Sequence, residues 1–196
     1  TRYDRVLQDG YYLRLHQEDF CQALGIGPAS KYEKEGGPGL RQCADIIRRH
    51  TSFPLIELQK LMNWTLFNLL AGNADAHGKN LSLLYSGQGG LQLAPFYDLV
   101  CTRNYKNISR HLAMSLGSVT DPDQISAKQL HAMADDLGVR PTVVLKAAAR
   151  LSEQLQQTMP DVVTQFKDTF GPSPILERIP IIIRRQIRRL TTLLRG

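Results

Sequence analysis

The sequence lacks any apolar run approaching the roughly 20 residues that a membrane-spanning helix needs. Its longest candidates are interrupted: residues 55–71 contain Glu57, Lys60, Asn63 and Asn68, and Ile181-Ile182-Ile183 runs straight into Arg184 and Arg185. Cysteine is scarce. Cys21, Cys43 and Cys101 stand far apart with no CxxC pair, which argues against a disulfide framework or a cysteine zinc site and for a reducing cytoplasm. The few histidines form no HxxxH or HExxH spacing, so a metal hydrolase built on His77, Asp75 and Asp98 lacks its second nearby imidazole. There is no internal repeat, no signal segment and no initiator Met before Thr1-Arg2-Tyr3-Asp4, a start that suits a piece of a longer protein.

What is present suits an ordinary globular chain: 196 residues, 42% hydrophobic and 21% charged. A net charge of +6 permits an anionic partner without demanding one. Much of the excess lies near the C-terminus, where Ile183, Ile187, Leu190 and Leu194 keep helical spacing with Arg184, Arg185, Arg188 and Arg189 between them. That pattern predicts an amphipathic helix packed on the core with a solvated basic face; a phosphate-contacting surface is the alternative.

The remaining pattern is mainly helical. It predicts a short helix over 17–24 ended by Gly25, and a second over 38–50 with Pro38 in its first turn. A polar, Gly-rich loop spans 31–38. A third helix covers 54–71, capped by Ser52 and closed by Gly72, with apolar residues around most of its circumference and Trp64 in the same core. Residues 81–85 and 91–93 read as a β-hairpin about a turn at 86–90. Residues 100–120 are irregular, and helices follow over 126–137, 141–158, 160–170 and from 174 to the end. The one plausible linker is Gly171-Pro172-Ser173-Pro174.

The segment that carries chemistry is Asn73-Ala74-Asp75-Ala76-His77-Gly78-Lys79-Asn80, a polar loop between a buried helix and a hairpin. The hairpin folds the chain back, so Asp98 in Pro95-Phe96-Tyr97-Asp98 can approach Asn80. Phosphoryl transfer needs a carboxylate to take the proton of the attacking hydroxyl, and hard oxygens for the magnesium ions that bridge the phosphates. Asp75 and Asn80 have the Asp-x4-Asn spacing of a kinase catalytic loop, and Asp98 takes the place of the later metal-binding Asp. Lys79 adds a cation that offsets charge on the transferring group. Singly, Asp98 reads as a turn residue and His77 as a hydrogen-bonded structural histidine; order and the intervening hairpin make the case.

The loop Asn73 to Asn80, followed by Leu93-Ala94-Pro95-Phe96-Tyr97-Asp98, closely resembles the core of HipA-like serine/threonine kinases, toxin halves of bacterial toxin–antitoxin pairs. Upstream, Arg2-Tyr3-Asp4-Arg5, the stretch from Arg14 to Gly25, and Lys31-Tyr32-Glu33 with Gly36-Gly37-Pro38 match the same family in the same order. The likeness is strong over about residues 1–120 and holds only in pattern beyond.

The resemblance implies the helical C-terminal lobe of a protein-kinase-like fold. It places the general base at Asp75, nucleotide contacts at His77, Gly78, Lys79, Asn80, Tyr97 and Asp98, and magnesium at Asn80 and Asp98, with ATP and Mg2+ as cofactors. It further implies a protein substrate, in known members an aminoacyl-tRNA synthetase, and a HipB-like helix-turn-helix antitoxin. DNA is then reached mainly through that antitoxin, because Ala134-Asp135-Asp136-Leu137 is acidic here. Compared with eukaryotic kinases, Asn73-Ala74 replaces the His-Arg before the catalytic Asp, and Leu99-Val100 stands where Phe-Gly follows the metal Asp. The family's N-terminal lobe, with its phosphate-covering loop, has no counterpart, so residues 1–196 are expected to be the C-terminal lobe alone and to bind ATP weakly unaided. The alternatives are a non-catalytic interaction module of the same fold, or a nucleic-acid-binding helical domain resting on the terminal arginines.

Overall fold

The first ordered element is one that helical spacing does not announce. In a computed structural model, which describes residues 2–85 and 90–194, Arg5–Gln8 (β1) pairs antiparallel with Tyr11–Arg14 (β2). The turn between them is Asp9-Gly10, with φ of 51° and 83°, the left-handed pair that a two-residue hairpin turn requires.

Residues 17–24 are not one helix. Gln17–Asp19 is a strand (β3) and only Phe20–Ala23 (α1) is helical. The reason is tertiary: the edge of Ser82–Tyr85 (β4) takes up the backbone of β3, with Gln17 opposite Leu84 and Asp19 opposite Ser82. Asp19 then caps α1, accepting the Gln22 N–H at 2.9 Å. Leu40–His50 (α2) begins beyond Pro38, because Gly39 is its N-cap.

Pro54–Ala71 (α3) is the predicted central helix, and Gly72 ends it at φ 71°. Two details differ. Ser52 does not cap α3; its N–H reaches the Leu91 carbonyl at 2.9 Å, and its hydroxyl accepts the Leu91 N–H at 3.0 Å. Ser52 thus fastens the start of α3 to Leu91–Leu93 (β5). Nor is the helix buried all round, since Leu55 and Ile56 in its first turn are exposed. Beyond them Leu58, Leu61, Trp64, Leu66 and Leu70 enter the core, against α2 and the later helices.

The small sheet has the order β3-β4-β5, all antiparallel. Most of the expected hairpin turn, residues 86–89, lies outside the described residues. The hairpin is tied to α3 by Glu57, buried yet doubly satisfied: it receives the Lys60 ammonium at 2.9 Å and the Leu93 N–H at 2.9 Å. A buried carboxylate is tolerated only with such partners, and this pair fixes the chain five residues before Asp98.

Ala127–Leu137 (α4), Pro141–Phe170 (α5) and Ile175–Leu193 (α6) complete the fold. The expected break at Pro160 does not occur, and α5 runs through it. The carbonyl that loses its partner there belongs to Gln156, and both residues are exposed, so water can satisfy it. The terminal helix is amphipathic as expected, with Ile183, Ile187 and Leu190 in the core. Part of its basic face is structural: Arg189 pairs with Asp123, which also takes Arg103 at 2.9 Å. Among the described residues no helix is long and apolar enough to cross a membrane.

Candidate active site

The Gly72 N–H closes α3 on the Asn68 and Leu69 carbonyls, and the chain then turns sharply into the polar loop. Asn73, buried at its start, does most of the joining. Its amide nitrogen donates to Asn68 Oδ1 at 2.9 Å and to the Asp98 carbonyl at 3.3 Å, and its amide oxygen accepts the Asp75 N–H at 3.1 Å. One buried side chain therefore holds both acidic segments. The Ala74 N–H donates to Thr102 Oγ1 at 2.7 Å, and Thr102 in turn donates to the Gly72 carbonyl at 3.2 Å.

Asp75 is half-buried. Its Oδ1 accepts the Tyr32 hydroxyl at 2.7 Å and lies 3.9 Å from His77 Nε2. Asn80 is buried and uses both ends of its amide: Oδ1 accepts the His77 N–H at 3.1 Å, and Nδ2 donates to Asp98 Oδ2 at 2.7 Å. Asp98 is exposed and adopts φ 56°, a conformation that Asp and Asn tolerate better than other side-chain-bearing residues.

The structure thus brings Asp75, His77, Asn80 and Asp98 together, while the other sequence-predicted residues have different surroundings. Lys79 turns its ammonium to the Pro28 carbonyl at 2.9 Å. Tyr97 braces the loop from outside, donating to the Lys79 carbonyl at 2.6 Å and sharing a hydrogen bond of 2.7 Å with Ser82; burial raises its phenol pKa. Gly78 is packed hard: a Cβ there would stand 2.3 Å from Pro38 Cγ and 3.1 Å from Cys21 Sγ. Gly78→Ala is therefore expected to cost about 1–3 kcal/mol by overpacking, read as a lower midpoint in chemical denaturation; an unchanged midpoint would show that Pro38 moves freely.

His77 is buried, and its Nδ1 has no hydrogen-bond partner among the described residues. Burial, and then the charge of Lys31, lower its pKa from 6.5, so the folded imidazole is neutral. The unfolded imidazole takes its proton first as pH falls. The stability this group contributes is therefore present above pH 6.5 and is lost as pH falls toward the lower folded value. His77→Gln should flatten that part of the stability–pH curve as pH falls below 6.5 in denaturant titrations; parallel curves for both proteins would contradict it.

No group of three or more His, Cys, Asp or Glu that could hold a metal occurs among the described residues, which leaves the metal-hydrolase alternative without support. Asn80 and Asp98 offer a different donor set: they touch through the amide nitrogen and a carboxylate oxygen, while the Asn80 amide oxygen sits on the His77 N–H and would have to turn toward Asp98 to join it at a metal. Magnesium commonly takes one or two such hard oxygens and completes its shell with phosphates and water, so the pair fits it.

Sequence reasoning missed three contributors: Tyr32, Asn73 as the joint between segments, and Thr102. Tyr32 stood in a polar loop and in the Lys31-Tyr32-Glu33 motif of the resemblance, but with no role given to it; its link to Asp75 is long-range, a hydrogen bond across 43 positions. Beside Asp75 lies an open cleft of about 490 Å³, lined by Tyr32, Lys34, Ile108, Ser109, His111 and Thr120 among others.

A helical lobe whose buried central helix leads into an Asp-x4-Asn loop, followed by a hairpin that ends on Asp, has the architecture of a kinase-type C-terminal lobe. The family model of the HipA-like C-terminal domain matches residues 1–163, and the chain belongs to that family. It is 39% identical to the putative kinase Y4mE of Sinorhizobium fredii over 170 residues, covering 86% of this chain and 40% of the relative. It is 36% identical to the serine/threonine-protein kinase toxin HipA of Shewanella oneidensis over 176 residues, covering 83% of this chain and 40% of that protein. A solved complex of Shewanella oneidensis HipA with HipB and operator DNA matches with a TM-score of 0.79 and 30% identity, over 98% of this chain and 46% of the solved one. The chain therefore spans less than half the length of these relatives.

Proposed function

We propose that residues 1–196 are the catalytic C-terminal lobe of a serine/threonine protein kinase that transfers the ATP γ-phosphate to a protein hydroxyl, as the toxin of a toxin–antitoxin pair. The observation that carries this reading is Asn73, which hydrogen-bonds the backbone of Asp75 on one side and of Asp98 on the other. A proton acceptor and a hard-oxygen pair are thereby held in fixed relation, and the kinase names of the relatives favour phosphoryl transfer as the use of that arrangement.

Asp75 serves as the general base, receiving the proton of the acceptor hydroxyl. Asn80 and Asp98 would hold Mg2+ once the Asn80 amide turns its oxygen from the His77 N–H, and the segment His77-Gly78-Lys79-Asn80 with Tyr97 and Asp98 would face the nucleotide. Mg·ATP supplies the phosphoryl group and, through the cation, neutralises charge between its phosphates. The unpartnered His77 Nδ1 is a polar atom free for a ligand, whereas Lys79 must first leave the Pro28 carbonyl. A HipB-like helix-turn-helix antitoxin is the proposed partner, with DNA reached through it, and an aminoacyl-tRNA synthetase a candidate substrate in the cytoplasm.

The test is to incubate the product of the full reading frame with Mg·ATP and bacterial proteins, then map new phosphoserine and phosphothreonine by mass spectrometry. Discrete, Mg2+-dependent sites are expected, and strongly reduced labelling by the 196-residue lobe alone. No site above an EDTA control contradicts the kinase reading.

A further inference from the structure

Outside the 73–80 loop, the side chain that hydrogen-bonds Asp75 is Tyr32. Its position is built rather than incidental. Gly37 returns its N–H to the Tyr32 carbonyl at 2.8 Å, and Glu35 does the same at 2.9 Å. A Cβ at Gly37 would stand 2.7 Å from the Lys31 backbone, so this tight return demands glycine. The next residue, Glu33, donates its N–H to the Ala113 carbonyl at 3.1 Å, and its carboxylate accepts the Ser115 N–H at 2.5 Å. The 113 segment is itself fixed to the catalytic loop, Ala113 N–H donating to the Ala74 carbonyl at 3.0 Å. On its other side the Tyr32 ring meets His77 edge-on, with centroids 5.4 Å apart.

The two carboxylate oxygens of Asp75 are consequently unequal. Oδ1 is engaged by the Tyr32 hydroxyl and approached by His77. Oδ2 carries no hydrogen bond among the described residues, and both Asp75 and Tyr32 border the 490 Å³ cleft. Resting on the kinase reading of Asp75, we infer that Tyr32 is a positioning residue for the transfer: its hydroxyl holds Oδ1, leaves Oδ2 to receive the acceptor's proton, and makes the adjoining cleft the acceptor's entry.

The chemistry is consistent at neutral pH. The hydrogen bond to Asp75, and then burial, raise the Tyr32 phenol above its usual range, so it remains a donor. Lys31 and Lys34 lie 4.9 Å and 5.8 Å from the ring centroid, and neither bonds the carboxylate among the described residues. The titratable groups that touch Asp75 or border its cleft include Tyr32, His77, Lys34 and His111. Of these, the phenol donates directly to the base.

The experiment uses the full reading frame, with Tyr32→Phe and Asp75→Asn compared in steady-state transfer. Tyr32→Phe is expected to lower kcat by about 10- to 100-fold, the equivalent of one hydrogen bond to a charged group. The KM for ATP should stay within about twofold, because the loss falls on the transfer step and not on nucleotide binding. A protein that had simply misfolded would lose ATP affinity and its melting transition as well. Glu33→Ala, which releases the anchor on Ser115, should give a smaller loss of the same kind. An unchanged kcat in Tyr32→Phe, or a faster rate, overturns the role of Tyr32 while leaving Asp75 standing. Turnover surviving Asp75→Asn overturns the base assignment instead, whatever Tyr32→Phe does.

Discussion

Asp75→Asn is expected to lower phosphoryl transfer by about 10²- to 10⁴-fold, the usual contribution of a positioned general base. The substitution is a clean one here. The asparagine oxygen can still accept the Tyr32 hydroxyl that now bonds Oδ1 at 2.7 Å, and the backbone N–H can still donate to Asn73. Shape and hydrogen bonding survive while the proton acceptor is lost. The expected result is therefore a fall in kcat with little change in ATP affinity or melting temperature, measured on the full reading frame. A variant that binds ATP normally and turns over within about threefold of the parent would remove Asp75 from the chemistry.

Asp98→Asn should be nearly as damaging, for a different reason. Asparagine tolerates the left-handed backbone at φ 56° as aspartate does, and its amide oxygen can keep the Asn80 Nδ2 contact now at 2.7 Å. What disappears is one negative charge on the hard-oxygen pair. Metal stabilisation of a phosphoryl group contributes several kcal/mol, so a loss of about 3 kcal/mol, roughly a hundredfold in rate, is expected. Unlike the Asp75 variant, this one should require more Mg2+ for half-maximal rate and recover part of its activity as Mg2+ is raised. Titrating Mg2+ against rate separates the two; an unchanged Mg2+ requirement contradicts the metal role of Asp98.

The elements that carry the site were legible in the sequence because local rules decide them. Pro54 and Gly72 bound a strongly apolar helix, and the alternation around 81–85 and 91–93 marks strands, so the loop between them had to emerge at their common end. The elements misread are those decided by distant partners. Residues 17–24 lost their first turn to the edge of β4, and Ser52 bonded β5 rather than capping α3; Pro160 is a separate case, tolerated where the freed Gln156 carbonyl is open to solvent. The site follows the same division. Asp75, Asn80 and Asp98 announce themselves by spacing and order. Tyr32, Asn73 and Thr102 act through contacts across 43, 25 and 28 positions, which no local pattern encodes. The Asp9-Gly10 hairpin is the exception, a short-range turn signal present in the sequence and passed over.

The most direct measurement is transfer of labelled γ-phosphate from Mg·ATP to protein in a bacterial lysate, using the full reading frame beside its Asp75→Asn and Asp98→Asn variants. A phosphoryl-transfer centre built on these residues predicts labelling of a discrete protein band that both substitutions abolish. Absence of labelling above the variants, in protein that is folded, contradicts it and leaves a kinase-like fold serving as an interaction module.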